Sequence, residues 1–201
     1  MPSYSTIHTP LLEIAYLEWN PAGRRSAVLL HGWPDSPAGW GPVAQCLAAE
    51  GYRVLCPALR GFGPTRFLDP ATPRSGELAA LGRDLLDFIA ALGLEQPLLV
   101  GHDWGARAAA NACGLEAGDL AYAQDGARLT PAPRLAVPTL VLHGGADTCN
   151  QPATSEGKAH YFSGRYERRV LDGVGHFPQR EAPQAVAAAI LNFVAAPAAP
   201  G

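Results

Sequence analysis

The chain of 201 residues has little of what metal-binding, nucleic-acid-binding or membrane proteins need. Its four cysteines form no C-x-x-C pair or metal-type spacing, so we expect no metal site. Only 16% of the residues are charged, the formal charge is -3 and no long run of one sign occurs, so nucleic-acid binding is not expected. No apolar stretch reaches the roughly 18 residues of a membrane span, and residues 1–10 lack the pattern of a secretory signal. A reducing, cytoplasmic setting is therefore expected.

Cofactor motifs are missing as well. The glycines at residues 61 and 63 are followed by neither G-K-[ST] nor a helix-opening G-x-x-G, so they do not indicate a phosphate loop. Hydrophobic residues make up 48% of the sequence, which is ample for a buried core. Because domains usually run about 100–200 residues, we expect a single domain over residues 1–201, with a frayed tail at 196–201.

Short apolar runs alternate with longer helical patterns, which is typical of βα units around a mostly parallel sheet. An alternating run from Leu12 to Tyr16 predicts an early, half-exposed strand, and Arg169–Leu171 a last strand. Apolar positions over 78–92 predict a helix, with Ser75 as a candidate N-cap and Gly93 as its stop. Further buried strands are predicted at 27–30, 54–56, 98–100 and 140–142, and further helices at 104–113 and 183–194.

The strongest functional signal is GHDWG at residues 101–105, between a predicted strand and a predicted helix. This is the context of a nucleophile elbow, with Asp103 where the better-known version has serine. Glycines two residues before and after it let strand and helix approach, and the helix N-terminus favours a negative charge. Taken alone, Asp103 could equally be a helix N-cap.

Two further segments supply an acid and a base. Asp147 in HGGAD and His176 in GVGHFP each follow a predicted strand, and either alone is most simply a polar loop residue. Nucleophile, acid and base nevertheless appear in that chain order, each at the carboxyl end of a strand, where α/β sheets place their sites. The sequence therefore predicts a catalytic set of Asp103, Asp147 and His176.

The turn HGWP at residues 31–34 follows the first predicted buried strand. The backbone N–H of Trp33 could complete an oxyanion hole with the backbone N–H of Trp104, although an ordinary Gly-Pro turn is the simpler interpretation of this segment alone. We also expect His31, Trp33 and Trp104 to contact the substrate.

These motifs, together with RGFG at residues 60–63, resemble the α/β-hydrolase superfamily and, within it, the epoxide hydrolase and haloalkane dehalogenase group. The resemblance covers roughly residues 10–113 and 134–195 and implies an α/β-hydrolase fold with a mostly parallel sheet flanked by helices. It also implies that Asp103 forms an alkyl-enzyme ester, that His176 activates the water that hydrolyses this ester, and that Asp147 orients His176. No cofactor is implied.

Residues 115–137 depart from the family pattern. Family members insert a helical cap, preceded by a core strand, at this point, and neither is recognisable here, so we expect a short irregular segment. Only Tyr122 remains in the region, and the polarising role of the family's cap tyrosines is not carried over to it. The site should therefore be open to water, which weakens catalysis, and its apolar rim could promote homo-oligomer formation.

Three functions stay open at this stage. The first is hydrolysis of a small epoxide, and the second is dehalogenation of a haloalkane or haloacid by the same ester chemistry. The third is a catalytically idle core or interaction module. The intact set of two acids and a histidine argues against the third, whereas the missing cap argues for it.

Overall fold

The computed structural model describes residues 2–115 and 134–196, which fall into two compact units, Met1–Pro131 and Ala132–Gly201. The single domain expected over 1–201 stays a prediction. Most of the expected irregular segment, including Tyr122, and the tail after residue 196 lie outside the described residues. Among the helices of residues 2–115 and 134–196, none has the length and hydropathy of a membrane-spanning segment.

The first unit is built on a six-stranded sheet in the order β1-β2-β4-β3-β6, with β5 paired to β2. Strands β4, β3 and β6 run parallel, whereas β1, β2 and β5 pair antiparallel. All the strands expected in this part of the chain are present. Their bounds are β1 Ser5–His8, β2 Leu12–Trp19, β3 Arg25–Leu30, β4 Tyr52–Pro57, β5 Arg66–Phe67 and β6 Leu98–Gly101.

Strand β2 is buried, and the expectation of a half-exposed strand was wrong. On one face, Leu12 and Tyr16 join the core, where the Tyr16 ring meets the edge of Phe88 with centroids 5.5 Å apart. On the other face, Ala15 and Leu17 are buried as well. The alternation of apolar with other residues suggested a solvent-facing side, but Ala15 and Leu17 on that side are buried too.

Three helices accompany this sheet: α1 Gly41–Ala49, α2 Leu78–Ala91 and α3 Trp104–Leu115. Helix α2 confirms the helix predicted from the apolar periodicity, because its leucines and Phe88 pack in or against the core. Gly93 has a φ of 60°, which suits the residue that ends a helix. The expected N-cap was wrong: Glu77 occupies that position, and the Ser75 hydroxyl accepts the Glu77 N–H at 3.2 Å. Helix α3 matches the expected helix and continues to its last residue, Leu115.

A buried ion pair fixes the segment after β4. The Arg60 guanidinium donates two hydrogen bonds of 2.6 Å to the Asp84 carboxylate on α2, and both residues are buried. Arg60 also donates to the Ser75 carbonyl at 3.0 Å. Burial raises the pKa of Asp84 above its ordinary value, against the opposing effect of Arg60. The pair therefore ties the RGFG segment to α2.

The second unit holds a parallel strand pair, β7 Thr139–Gly144 and β8 Tyr166–Leu171, followed by α4 Pro178–Glu181 and α5 Pro183–Ala195. Strand β8 begins three residues earlier than expected, and α5 confirms the helix expected over 183–194. Arg165 caps the C-terminus of α5: it donates to the Ala196 carbonyl at 2.8 Å and to the Phe193 carbonyl, and its guanidinium lies 3.9 Å from the centre of the Phe193 ring.

Candidate active site

Asp103 sits at the tight turn between β6 and α3. Its φ of 52° lies in the left-handed region, which a residue with a side chain seldom adopts. Hydrogen bonds on both sides hold this conformation: the His102 N–H donates to the Leu30 carbonyl at 3.0 Å, and the Gly105 N–H donates to the His102 carbonyl at 2.8 Å. The neighbouring structure thus enforces the strained geometry of a nucleophile elbow.

Three glycines make this turn sterically feasible. A Cβ at Gly101 would lie 2.4 Å from the Gly105 carbonyl oxygen, and one at Gly105 would lie 2.2 Å from the Leu30 carbonyl oxygen. These are the two glycines that the sequence pattern singled out. The third is Gly32, where a Cβ would lie 2.5 Å from the Cβ of Asp103 and 2.6 Å from its Oδ1.

The loop after β3 presents a hydrogen-bond donor to Asp103. The Trp33 N–H donates to Oδ1 of Asp103 at 3.0 Å. Trp104 is the first residue of α3, so its N–H is one of the helix N–H groups that have no intrahelical acceptor. The exposed fractions of Trp33 and Trp104 are 64% and 39%, so both indole rings offer apolar surface to a ligand.

His31 is placed differently from the expectation. Its side chain is fully buried, Nδ1 lies 2.8 Å from the Gly32 carbonyl oxygen, and the Leu59 N–H points at Nε2 at 3.1 Å. Because Leu59 can only donate, Nε2 is the acceptor and the proton sits on Nδ1 of a neutral ring. Burial lowers the pKa of His31 from its ordinary value. Both ring nitrogens are thus committed to the backbone, and a direct substrate contact is not available to this side chain.

In the second unit, His176 and Asp147 form a hydrogen-bonded pair, with Nδ1 of His176 2.9 Å from Oδ2 of Asp147. The other carboxylate oxygen accepts the N–H groups of Cys149 and Asn150, each at 2.8 Å. Burial alone would raise the pKa of Asp147, but these backbone donors and His176 together hold it below its ordinary value. An ionised Asp147 keeps the proton of neutral His176 on Nδ1, which makes Nε2 the basic nitrogen.

A second histidine supports the loop that carries Asp147. Nε2 of His143 lies 2.6 Å from the Asn150 carbonyl oxygen, and its Nδ1 lies 3.0 Å from the Ser155 hydroxyl, which accepts a hydrogen bond of 2.8 Å from Arg168. Sequence reasoning noted His143 only as part of the HGGAD motif. Its position at the end of β7, four residues before the acid, was the available signal.

Residues 28–118 match a family model described as the alpha/beta hydrolase fold. Two curated relatives are epoxide hydrolases. Epoxide hydrolase 3 of Siraitia grosvenorii is 42% identical over 79 residues, which cover 39% of this chain and 24% of that protein. Epoxide hydrolase A of Mycobacterium tuberculosis is 32% identical over 105 residues, which cover 52% of this chain and 32% of that protein. The chain thus aligns with a third or less of each of these relatives.

A solved structure extends the similarity to the whole fold. Epoxide hydrolase A from Mycobacterium thermoresistibile superposes with a TM-score of 0.80 at 19% identity, covering 97% of this chain and 98% of that one. At this identity the likeness concerns the fold, a mostly parallel sheet flanked by helices, which agrees with the sequence-based expectation. Only residues 116–138 lie between α3 and β7, a length consistent with the reduced cap expected from the sequence. The chain therefore has the α/β-hydrolase fold, and part of its sequence is similar to epoxide hydrolases.

Proposed function

We propose that this chain is a hydrolase that opens small epoxides through a covalent ester on Asp103. The observation that carries the proposal is the hydrogen bond from the Trp33 N–H to Oδ1 of Asp103 itself. In a serine enzyme, an oxyanion donor must meet an oxygen of the substrate. With an aspartate nucleophile, the carbonyl group that water attacks belongs to the enzyme, so a donor aimed at the carboxylate oxygen suits that step.

The first step needs no general base, because an aspartate carboxylate is ionised near neutral pH. One oxygen of Asp103 attacks an epoxide carbon, the carbon–oxygen bond of the ring breaks, and the resulting alkoxide takes a proton from water. The exposed indole rings of Trp33 and Trp104 offer apolar surface to hold the substrate beside the nucleophile.

The second step hydrolyses the ester. His176 takes a proton from water through Nε2, and the hydroxide adds to the carboxyl carbon of Asp103. The Trp33 and Trp104 N–H groups stabilise the oxyanion, and collapse of the intermediate expels the diol, which receives the proton from His176. Asp103 is left as a carboxylic acid and regains its carboxylate by giving a proton to the hydroxide that the first step produced. Asp147 stabilises the imidazolium that exists in between. We propose that the residues of both units serve this one reaction.

The names of the relatives support an epoxide substrate, and the aspartate chemistry separates this proposal from esterase function. Attack of a carboxylate on an ordinary ester would give an anhydride, whereas attack on an epoxide carbon gives a stable ester. Displacement of a halide would use the same Asp103 ester, and the indole N–H groups of the two exposed tryptophans are suited to bind a halide ion. The two substrates therefore differ in product, a diol against an alcohol plus halide.

The test uses His176→Gln, with His160→Gln as the matched control, because His160 is an exposed histidine of the same unit. After a cooperative melt is confirmed, both variants and the wild type are incubated with epoxides and haloalkanes, and the intact mass is recorded. His176→Gln should gain the mass of a whole epoxide, whereas His160→Gln should turn over like the wild type. A gain of an alkyl group without its halogen would indicate dehalogenation. A folded wild type without turnover, together with no adduct on His176→Gln, would indicate an idle core.

A further inference from the structure

The loop that carries His176 is bound by a second acidic residue, Glu181, at the end of α4. Its Oε2 accepts the Gly175 N–H at 2.7 Å, and its Oε1 accepts the Phe177 N–H at 3.0 Å. One carboxylate therefore holds the backbone N–H groups on both sides of His176. A Cβ at Gly175 would lie 2.9 Å from Oε2 of Glu181, so the close approach depends on glycine at that position.

The short helix reinforces this contact. The Glu181 N–H donates to the Phe177 carbonyl at 2.9 Å, so the backbone and the side chain of Glu181 bind the same loop. Hydrogen bonds from backbone N–H groups to an ionised carboxylate are among the stronger ones in proteins. The Phe177 N–H lies in the peptide plane that follows His176, and the Gly175 N–H lies one peptide plane before the one that precedes it. The two hydrogen bonds therefore bracket His176 and restrict the direction in which its side chain points.

His176 is thus held at two levels. Glu181 fixes its backbone, and Asp147 fixes its ring through Nδ1 at 2.9 Å. Glu181 is an exposed residue, and a solvated carboxylate at the surface usually adds little to stability. Here both carboxylate oxygens of Glu181 accept backbone N–H groups of the loop that carries His176, and this arrangement is suited to orienting His176.

We propose that Glu181 is a positioning residue for His176. The proposal rests on the proposed function, in which His176 acts only in the second step. In this role Glu181 acts through the loop that carries His176, and not on the substrate or on the Asp103 ester. Its loss should therefore slow ester hydrolysis and leave ester formation unchanged, a split that a general loss of structure would not produce.

The kinetic test measures both steps in a single turnover with an epoxide that the wild type accepts, by mass spectrometry of quenched samples. In Glu181→Ala, hydrolysis should slow by about 10- to 100-fold, the size of effect expected when a catalytic group is misplaced by about 1 Å. Glu181→Gln should lie between Glu181→Ala and the wild type, because its amide has one acceptor oxygen instead of two. The control Glu167→Gln, on β8 of the same unit, loses the same charge and should match the wild type. A parallel fall of both steps in Glu181→Ala, or unchanged hydrolysis, would overturn the proposal.

A second measurement needs no substrate and separates this proposal from the proposed function. NMR of the wild type and of Glu181→Ala compares solvent exchange of the Gly175 and Phe177 amide protons and of the Nδ1 proton of His176. All three should exchange faster in the variant. If no ester ever forms on His176→Gln, the proposed function fails, and unchanged exchange of the Nδ1 proton would overturn the role of Glu181 separately.

Discussion

Replacing Gly32 with alanine should disable the oxyanion donor without unfolding the chain. The new Cβ would lie 2.5 Å from the Cβ of Asp103 and 2.6 Å from its Oδ1, whereas ordinary van der Waals contacts are 3.4–4 Å. The loop after β3 and the Asp103 side chain must therefore separate by about 1 Å to relieve the overlap. Gly32 does not have a positive φ, so the backbone itself tolerates alanine.

The catalytic cost follows from the hydrogen bond that this movement breaks. The Trp33 N–H lies 3.0 Å from Oδ1 of Asp103, and a further separation of about 1 Å takes the pair beyond hydrogen-bonding distance. Removal of one oxyanion-hole donor lowers kcat by on the order of 100- to 1,000-fold. We expect a loss of that size in Gly32→Ala, mainly in the hydrolysis of the ester.

The assay compares kcat for diol formation and the thermal melt of Gly32→Ala with those of Gly41→Ala. Gly41 has helical φ and ψ angles of -46° and -51°, and a Cβ there would meet nothing within 4 Å. The control should keep the wild-type kcat, because alanine adds no contact at that position. Wild-type kcat in a folded Gly32→Ala would refute the role given to the Trp33 N–H.

Three further outcomes are expected. Asp84→Ala should lower the free energy of unfolding by about 3–5 kcal/mol in urea denaturation, because the buried Arg60 loses its carboxylate; a cost below about 1 kcal/mol would contradict this. The folded-state pKa of His31 lies below its ordinary value of 6.5, so the stability it contributes is complete above pH 6.5 and decreases as the pH falls below it. His31→Gln should lack that part of the pH dependence in thermal melts, and an unchanged slope would contradict the buried neutral ring. Arg165→Met should cost about 1–2 kcal/mol and speed amide exchange in the last turn of α5, whereas unchanged exchange would show that Arg165 does not cap this helix.

Local sequence rules predicted the elements whose cause is local. The glycines around Asp103 predicted the elbow by their spacing, although only Gly101 faces atoms nearby in sequence, those of Gly105, whereas Gly105 faces Leu30 on β3. Periodicity predicted α2, and the apolar run before the elbow predicted β6. Strand β2 was misjudged because the burial of its faces depends on elements that are distant in sequence, such as α1. Helix α1 was not predicted, and its segment offers only a short apolar pattern.

The candidate site shows the same contrast between what nearby residues determine and what distant residues determine. Residue type and chain order pointed to Asp103, Asp147 and His176, but the partners of each residue depend on how distant loops meet. His31 was expected to contact the substrate, and only the structure shows the Leu59 N–H that occupies its second nitrogen. Glu181 was not considered, although an acid five residues after a loop histidine is a signal that sequence reasoning could have used.

The most direct test of the aspartate mechanism is a single turnover in water enriched in heavy oxygen. After reaction with an epoxide, the enzyme is digested and the peptide that contains Asp103 is weighed. The aspartate mechanism predicts that heavy oxygen enters Asp103 and that the first diol released carries ordinary oxygen from the enzyme, because water attacks the carboxyl carbon. Heavy oxygen in the first diol, with none in Asp103, would show that water opens the epoxide directly and would contradict the account.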